Sequence, residues 1–405
     1  MARHYSTKDF FRQMPNVLIA RYFAAREVLQ DFDFTAIKET KIDGLFEAWM
    51  ELPEVELVGM EAEMREIWDM SCPTGYQSIL DEAVYHLNDA DELATFKETL
   101  LGLPGHHERA MTTFLDYAVM WKGATRFYHA DNLSYWRKRK NLPKVAAATD
   151  PASLKGLETA ICRYYKTTEG RGMHCKVEPY RRGDYDYFFA FPEDYAQRSS
   201  EWEGEDITVR SLHPAFEIVF VYRQVEGTLD LNVTGDKKAV EPLQEIFTEH
   251  ILNCAELPTD PDDKRVYHLG ALRQRTFNFV WSVGSGIESV AVNRLRLSLY
   301  KPKNAKFIIE ADPKHNPRVV YDLLDKLAPV LPSHEYFITQ VGVTALVKAH
   351  PTEKAKTVNF NISYPNSCSL KYDEIGVKLR TMLETSGIEP REPDTPAEAV
   401  ALADA

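Results

Sequence analysis

Flat rings and fixed positive charges are interleaved from Arg126 to Lys140, in the run RFYHADNLSYWRKRK. Arg126, Phe127, Tyr128 and His129 lead, and Tyr135 and Trp136 stand directly before Arg137, Lys138, Arg139 and Lys140. Cationic side chains neutralise phosphates and aromatic rings take stacked bases, so the pattern suits single-stranded nucleic acid or a nucleotide. Arg181 and Arg182, at a hairpin turn, are candidates for the same groove, with Tyr164, Tyr165 and Lys166 before them. The bland alternative is that Tyr128, Tyr135 and Trp136 pack a domain junction while the cations are merely solvated.

Charge is distributed unevenly. The chain carries a net −13, which argues against bulk nucleic-acid affinity, yet residues 120–182 hold 14 Lys and Arg against five acids and so carry +9. Such asymmetry points to an anionic partner rather than to a fold.

Other chemistries find less to build on. His250 and Cys254 share a helical face at i and i+4, but His106-His107 and His174-Cys175 are adjacent pairs whose side chains diverge. No CxxC, HxH or HExxH spacing occurs, nor any GxGxxG or GxxxxGK[ST] loop, so neither a metal nor a cofactor is expected. Gly284-Ser285-Gly286 lacks the outer spacing of a nucleophile elbow and reads as a turn. Glu217 and Asp230 are the acids best placed to meet on a sheet face, where a metal-dependent hydrolase would need them; solvated acids are the bland reading.

The elements that position these residues are legible. Residues 1–145 read as an all-helical domain. Ser6 and Asp9 have capping-box spacing, Asp89 caps a helix over 91–103, and Met111, Phe114, Leu115, Ala118 and Trp121 line one side of a run over 108–127. The linker candidate is NLPKVAAATDP, residues 141–151, and a helix follows over 152–168. Hydrophobic spacing then changes from helical to period two. Residues 175–180 and 185–191 make one hairpin.

Three hairpin–helix units come next. In the first, Phe216, Ile218, Phe220 and Tyr222 share a face, and Leu229, Leu231 and Val233 alternate with Asp230, Asn232 and Thr234, which predicts a solvated return strand. In the second, Leu295, Leu297 and Leu299 alternate with Arg294, Arg296 and Ser298; in the third, Val358, Phe360, Ile362 and Tyr364 alternate with Asn359, Asn361 and Ser363. Residues 388–405 have three prolines and several acids and read as a disordered acidic tail. The expected class is α+β: a helical domain over 1–145, then an antiparallel-sheet domain of repeated β-hairpin–helix units over 152–387.

No run approaches the roughly 18 apolar residues of a membrane span, and the first residues, MARHYSTKDFFRQMPN, lack an apolar leader. Five scattered cysteines suit reduced thiols in a compact bacterial cytoplasmic protein without a membrane partner. The leading expectation is a non-enzymatic binding or sensor protein that engages nucleic acid or a nucleotide through the basic, aromatic segment. The alternatives are a scaffold or assembly subunit with a protein partner or a second copy of itself, and a metal-dependent hydrolase.

Overall fold

A computed structural model describes residues 5–38, 41–233, 237–258, 266–302, 304–348 and 354–389. The chain divides into two compact units, Met1–Asn132 and Leu133–Ala405.

The first unit is helical throughout its described elements: α1 (Thr7–Gln13), α2 (Asn16–Ala24), α3 (Asp43–Met50), α4 (Glu54–Met70), α5 (Pro73–His86), α6 (Ala90–Leu101), α7 (His106–Asp116) and α8 (Ala118–Asn132). The Ser6 hydroxyl accepts from Asp9 N and donates to its carboxylate, so aspartate completes the capping box; Asp89 accepts from Asp91 N and Glu92 N. The single helix expected over 108–127 is broken at Tyr117, whose backbone leaves the helical region (φ −133°, ψ 52°). An aromatic core of Phe10, Phe11, Tyr22, Phe23 and Trp49 holds the first three helices together.

The second unit begins with β1 (Trp136–Arg139) and α9 (Pro151–Thr168). Then come β2 (Cys175–Arg182), β3 (Tyr185–Pro192), β4 (Gln197–Glu203), β5 (Asp206–Leu212), β6 (Ile218–Arg223), β7 (Thr228–Val233) and α10 (Val240–His250). It closes with β8 (Ile287–Leu299), β9 (Lys306–Glu310), α11 (Val319–Leu327), β10 (Tyr336–Val347), β11 (Lys356–Ser363), β12 (Ser367–Cys368) and α12 (Glu374–Thr385). The fold is thus α+β: a helical unit, then antiparallel strands with covering helices, and all three hairpin–helix units form. Ten strands make one sheet in the order β2-β3-β6-β7-β1-β12-β11-β10-β8-β9, while β4 and β5 form a separate ribbon.

Two helical layers cover opposite faces of this sheet. α9 and α10 bury Leu157, Ile161, Leu243 and Phe247 against Phe188, Phe220, Leu229 and Leu231. α11 and α12 bury Val320, Leu324, Leu379 and Leu383 against Leu295, Leu297, Val341 and Ile362. Directly paired residues share a face, and the pairings run Leu231–Arg137–Ser367–Ser363–Gln340–Arg296. The face under α9 and α10 therefore continues past β1 as the face that α11 and α12 leave uncovered.

Three expectations need correction. The return strand β7 is buried through Leu229–Asn232, because β1 inserts beside it and makes it an interior strand. The linker at 141–151 is packed: Leu142 N donates to Gly227 O, Ala148 N to Ile251 O, and the Tyr222 hydroxyl to Val145 O at 2.9 Å. Ile388 is in the core and Glu389 is buried, so these two residues do not belong to the disordered tail expected over 388–405; residues 390–405 lie outside the described residues.

Candidate anion-binding face

The basic run becomes β1, an interior strand whose side chains alternate between the two faces of the sheet. Lys138 is 6% exposed and points to the same face as Asp230, its cross-strand neighbour. Its ammonium lies 3.7 Å from Asp230 Oδ2 and donates to Glu389 Oε1 at 2.5 Å. Burial alone would lower the Lys138 pKa, but the two carboxylates outweigh it and hold the ammonium well above its ordinary value. Trp136, 1% exposed, packs edge-on against Tyr372 at 5.2 Å, and the Arg380 guanidinium lies over the same tyrosine at 4.2 Å. Arg139, 8% exposed, donates to Pro258 O at 2.6 Å.

Trp136, Lys138 and Arg139 are therefore interior groups rather than members of a surface stripe. A buried cation needs a carboxylate or carbonyl beside it, and each of these two has one. Arg126 sits on α8 in the helical unit, half-buried. Arg181 is exposed at the β2–β3 turn and bonds Asp186 at 3.3 Å. Arg182 pairs with Tyr185, Tyr185 with Arg223 and Arg223 with Thr228, the row that Lys140 extends beyond Arg139. Four strand spacings of about 4.8 Å separate Arg182 from Lys140 there, roughly 19 Å.

Arg137 and Tyr135 behave differently. Tyr135 is 66% exposed and has φ +68°, a left-handed backbone that a bulky residue rarely adopts. Arg137 is half-buried and its guanidinium has no partner among the described residues; burial pulls its pKa down. It lies in one row with the buried Ser367 and the half-buried Ser363, Gln340 and Arg296, on the face that α11 and α12 do not cover. That row too spans four strand spacings, roughly 19 Å.

The face around the row is polar and supports itself. Gln340 Nε2 donates to Ser363 Oγ at 2.9 Å, Arg296 Nε to Thr339 Oγ1 at 3.0 Å, and Arg294 to Glu310 at 2.6 Å. Asn293 Nδ2 and Thr344 Oγ1 join at 2.8 Å, and Thr344 donates to Asn359 at 2.7 Å. Gly342 leaves room for this layer, because a Cβ there would collide with Asn293 and come within 2.8 Å of Arg294 Cβ. At one end Tyr300, Phe337 and Tyr364 are exposed, with ring centroids 5.3 Å and 6.3 Å apart in succession. Fixed guanidinium groups, amides, hydroxyls and flat rings together can bind a chain of phosphates and bases.

Sequence reasoning missed Arg294, Arg296, Tyr300, Phe337 and Tyr364 as a group. The signal was the polar half of two alternating strands, which reads equally as an ordinary solvated face.

The remaining candidates are less specific. Glu217 and Asp230 do not meet: Asp230 is opposite Val221, four residues and so about 13 Å along the strand from the level of Glu217. Among the described residues no three His, Cys, Asp or Glu converge as metal ligands, and Cys254 Sγ donates to Glu256 O. A groove of about 790 Å³ between α9 and α10 is lined by Lys155, Arg163, Glu249 and His250, charges of both signs that select no ligand class. In the helical unit the buried Glu82 carboxylate meets His86 Nε2 at 2.8 Å; burial raises its pKa and His86 offsets part of the rise. No family model matches the sequence, and no curated protein is similar to it.

Proposed function

We propose that this chain is a non-enzymatic binding protein that takes single-stranded nucleic acid on the uncovered face of β8, β10 and β11. The observation that carries the reading is the row from Arg137 to Arg296, with a guanidinium at each end and only small or amide side chains between. Among the described residues Arg137 has no acid to neutralise it, and a phosphate would serve as its counterion. Tyr300, Phe337 and Tyr364 supply stacking surfaces at one end of the face, and sheets of four strands commonly hold two or three bases in this manner. Tyr135 is a further contact for a longer strand, whereas Lys140 and Arg182 lie in a row on the other side of the sheet and Trp136, Lys138 and Arg139 act from within.

The test is fluorescence anisotropy with a labelled oligouridylate and oligothymidylate across a salt series. Phe337→Ala should weaken binding by about 1–3 kcal/mol, the usual value of one stacked base. Arg296→Ala and Arg137→Ala should each lower the salt slope by about 0.7. Tight binding of a mononucleotide with no gain from chain length would reassign the face to a nucleotide. Affinity and slope indifferent to all three substitutions would sink the proposal. A scaffold or assembly role has separate support in the unpaired edge of the sheet at β9.

A further inference from the structure

The ten-stranded sheet ends in two unlike edges. β2 carries Pro179 at its middle, a residue that cannot donate and so blunts an edge. β9, with the sequence KFIIE, has no such guard, and Phe307 and Ile308 are exposed on it.

Its hydrogen-bond phase is fixed by its ends. Leu299 N donates to Ala305 O and Ala311 N to Asn293 O. In an antiparallel ladder alternate residues turn towards the neighbour, so Phe307 and Ile309 also face β8. The backbone N–H and C=O of Lys306, Ile308 and Glu310 then point outwards from the sheet. These three side chains share the uncovered face with Arg294, Arg296 and Ser298, their partners on β8. Lys306 has no acid partner among the described residues, and Glu310 is held at 2.6 Å by Arg294.

We propose that β9 is the contact through which two copies of this chain pair edge to edge. The sequence sets the register: an antiparallel pairing centred on Ile308 puts Lys306 opposite Glu310 of the partner subunit, twice. Each of the three rungs exchanges two backbone bonds, and the outer rungs add opposite charges directly across the strands. The sheet continues through the two-fold axis, and the two uncovered faces become one surface. A contact of this size belongs with weak, reversible interfaces. The inference does not depend on the nucleic-acid reading, because mass reports it without ligand.

Sedimentation equilibrium over about 10–300 µM, a range suited to weak association, should show a monomer–dimer equilibrium of a 46.4 kDa chain. Ile308→Pro removes an N–H that no strand among the described residues accepts, so it should abolish the dimer and leave the circular dichroism spectrum unchanged. Lys306→Glu sets acid against acid at both outer rungs and should weaken association at least tenfold; adding Glu310→Lys should recover it. Should Ile308→Pro fail to fold, the charge pair decides alone. A monomer throughout the range, or a dimer that ignores Lys306→Glu, overturns the proposal.

Discussion

Lys138 illustrates what a charge does once it is taken from water. Its ammonium has two carboxylates, Asp230 and Glu389, and the cluster extends through Tyr372 to Arg380. Removing only the cation strands two buried anions, so Lys138→Met is expected to cost about 3–5 kcal/mol, read as a shift of the urea midpoint at unchanged m. Glu158 works in the same way at the rim of the sheet. Its carboxylate accepts from Val177 N at 3.1 Å, from Lys155 at 3.0 Å and from Lys176 at 3.2 Å. Burial pushes its pKa up, but these three donors outweigh burial and hold it below the ordinary value. A carboxylate lowered by folding stabilises fully above its unfolded value, about 4.3, and loses that contribution as pH falls through the folded value. Glu158→Gln should therefore cost about 1–3 kcal/mol at pH 7. The gap from the parent should close as pH approaches 3 in paired denaturation curves; a gap independent of pH would assign the effect to packing.

Among the elements, the hairpins were the most readable and the short strands the least. β7 and β11 follow period-two alternation closely in sequence, because each has an apolar half that faces a helix, whereas β6 is apolar and buried on both faces. β1 carries WRKR, which has no apolar half, and it becomes a strand only because β7 and β12 offer free edges on either side. The candidate face has the same history. Arg294, Arg296, Asn359, Asn361 and Ser363 were visible as the polar half of their strands, but alternation says which side chains share a face, not whether a helix lies over them. Arg137 joined them through the β1–β12–β11 register, over a sequence separation that no local pattern spans.

At the scale of the molecule, the end of the described chain closes the second unit. Ile388 enters the core beside Leu379 and Leu383, its N–H donates to Leu383 O, and Glu389 reaches Lys138. Ending the chain after Gly387 removes both anchors and is expected to destabilise the second unit by at least about 3 kcal/mol, read as a lower thermal midpoint. An unchanged midpoint would mean that Lys138 is adequately held by Asp230. Among the described residues no helix is long and apolar enough to cross a membrane.

The sequence by itself determined a helical first part, the change from helical to strand periodicity near residue 170 and three hairpin–helix units, because capping and hydrophobic period are local properties. It also showed the positive charge concentrated in residues 120–182 of an acidic chain. Only the tertiary structure decided which of those charges meet water. Strand order is a long-range choice, and it turned Lys138 and Arg139 inwards while leaving Arg137 at the margin of a polar face. It also left β9 as an edge, since a sheet must end where no further strand finds a free row of backbone donors and acceptors.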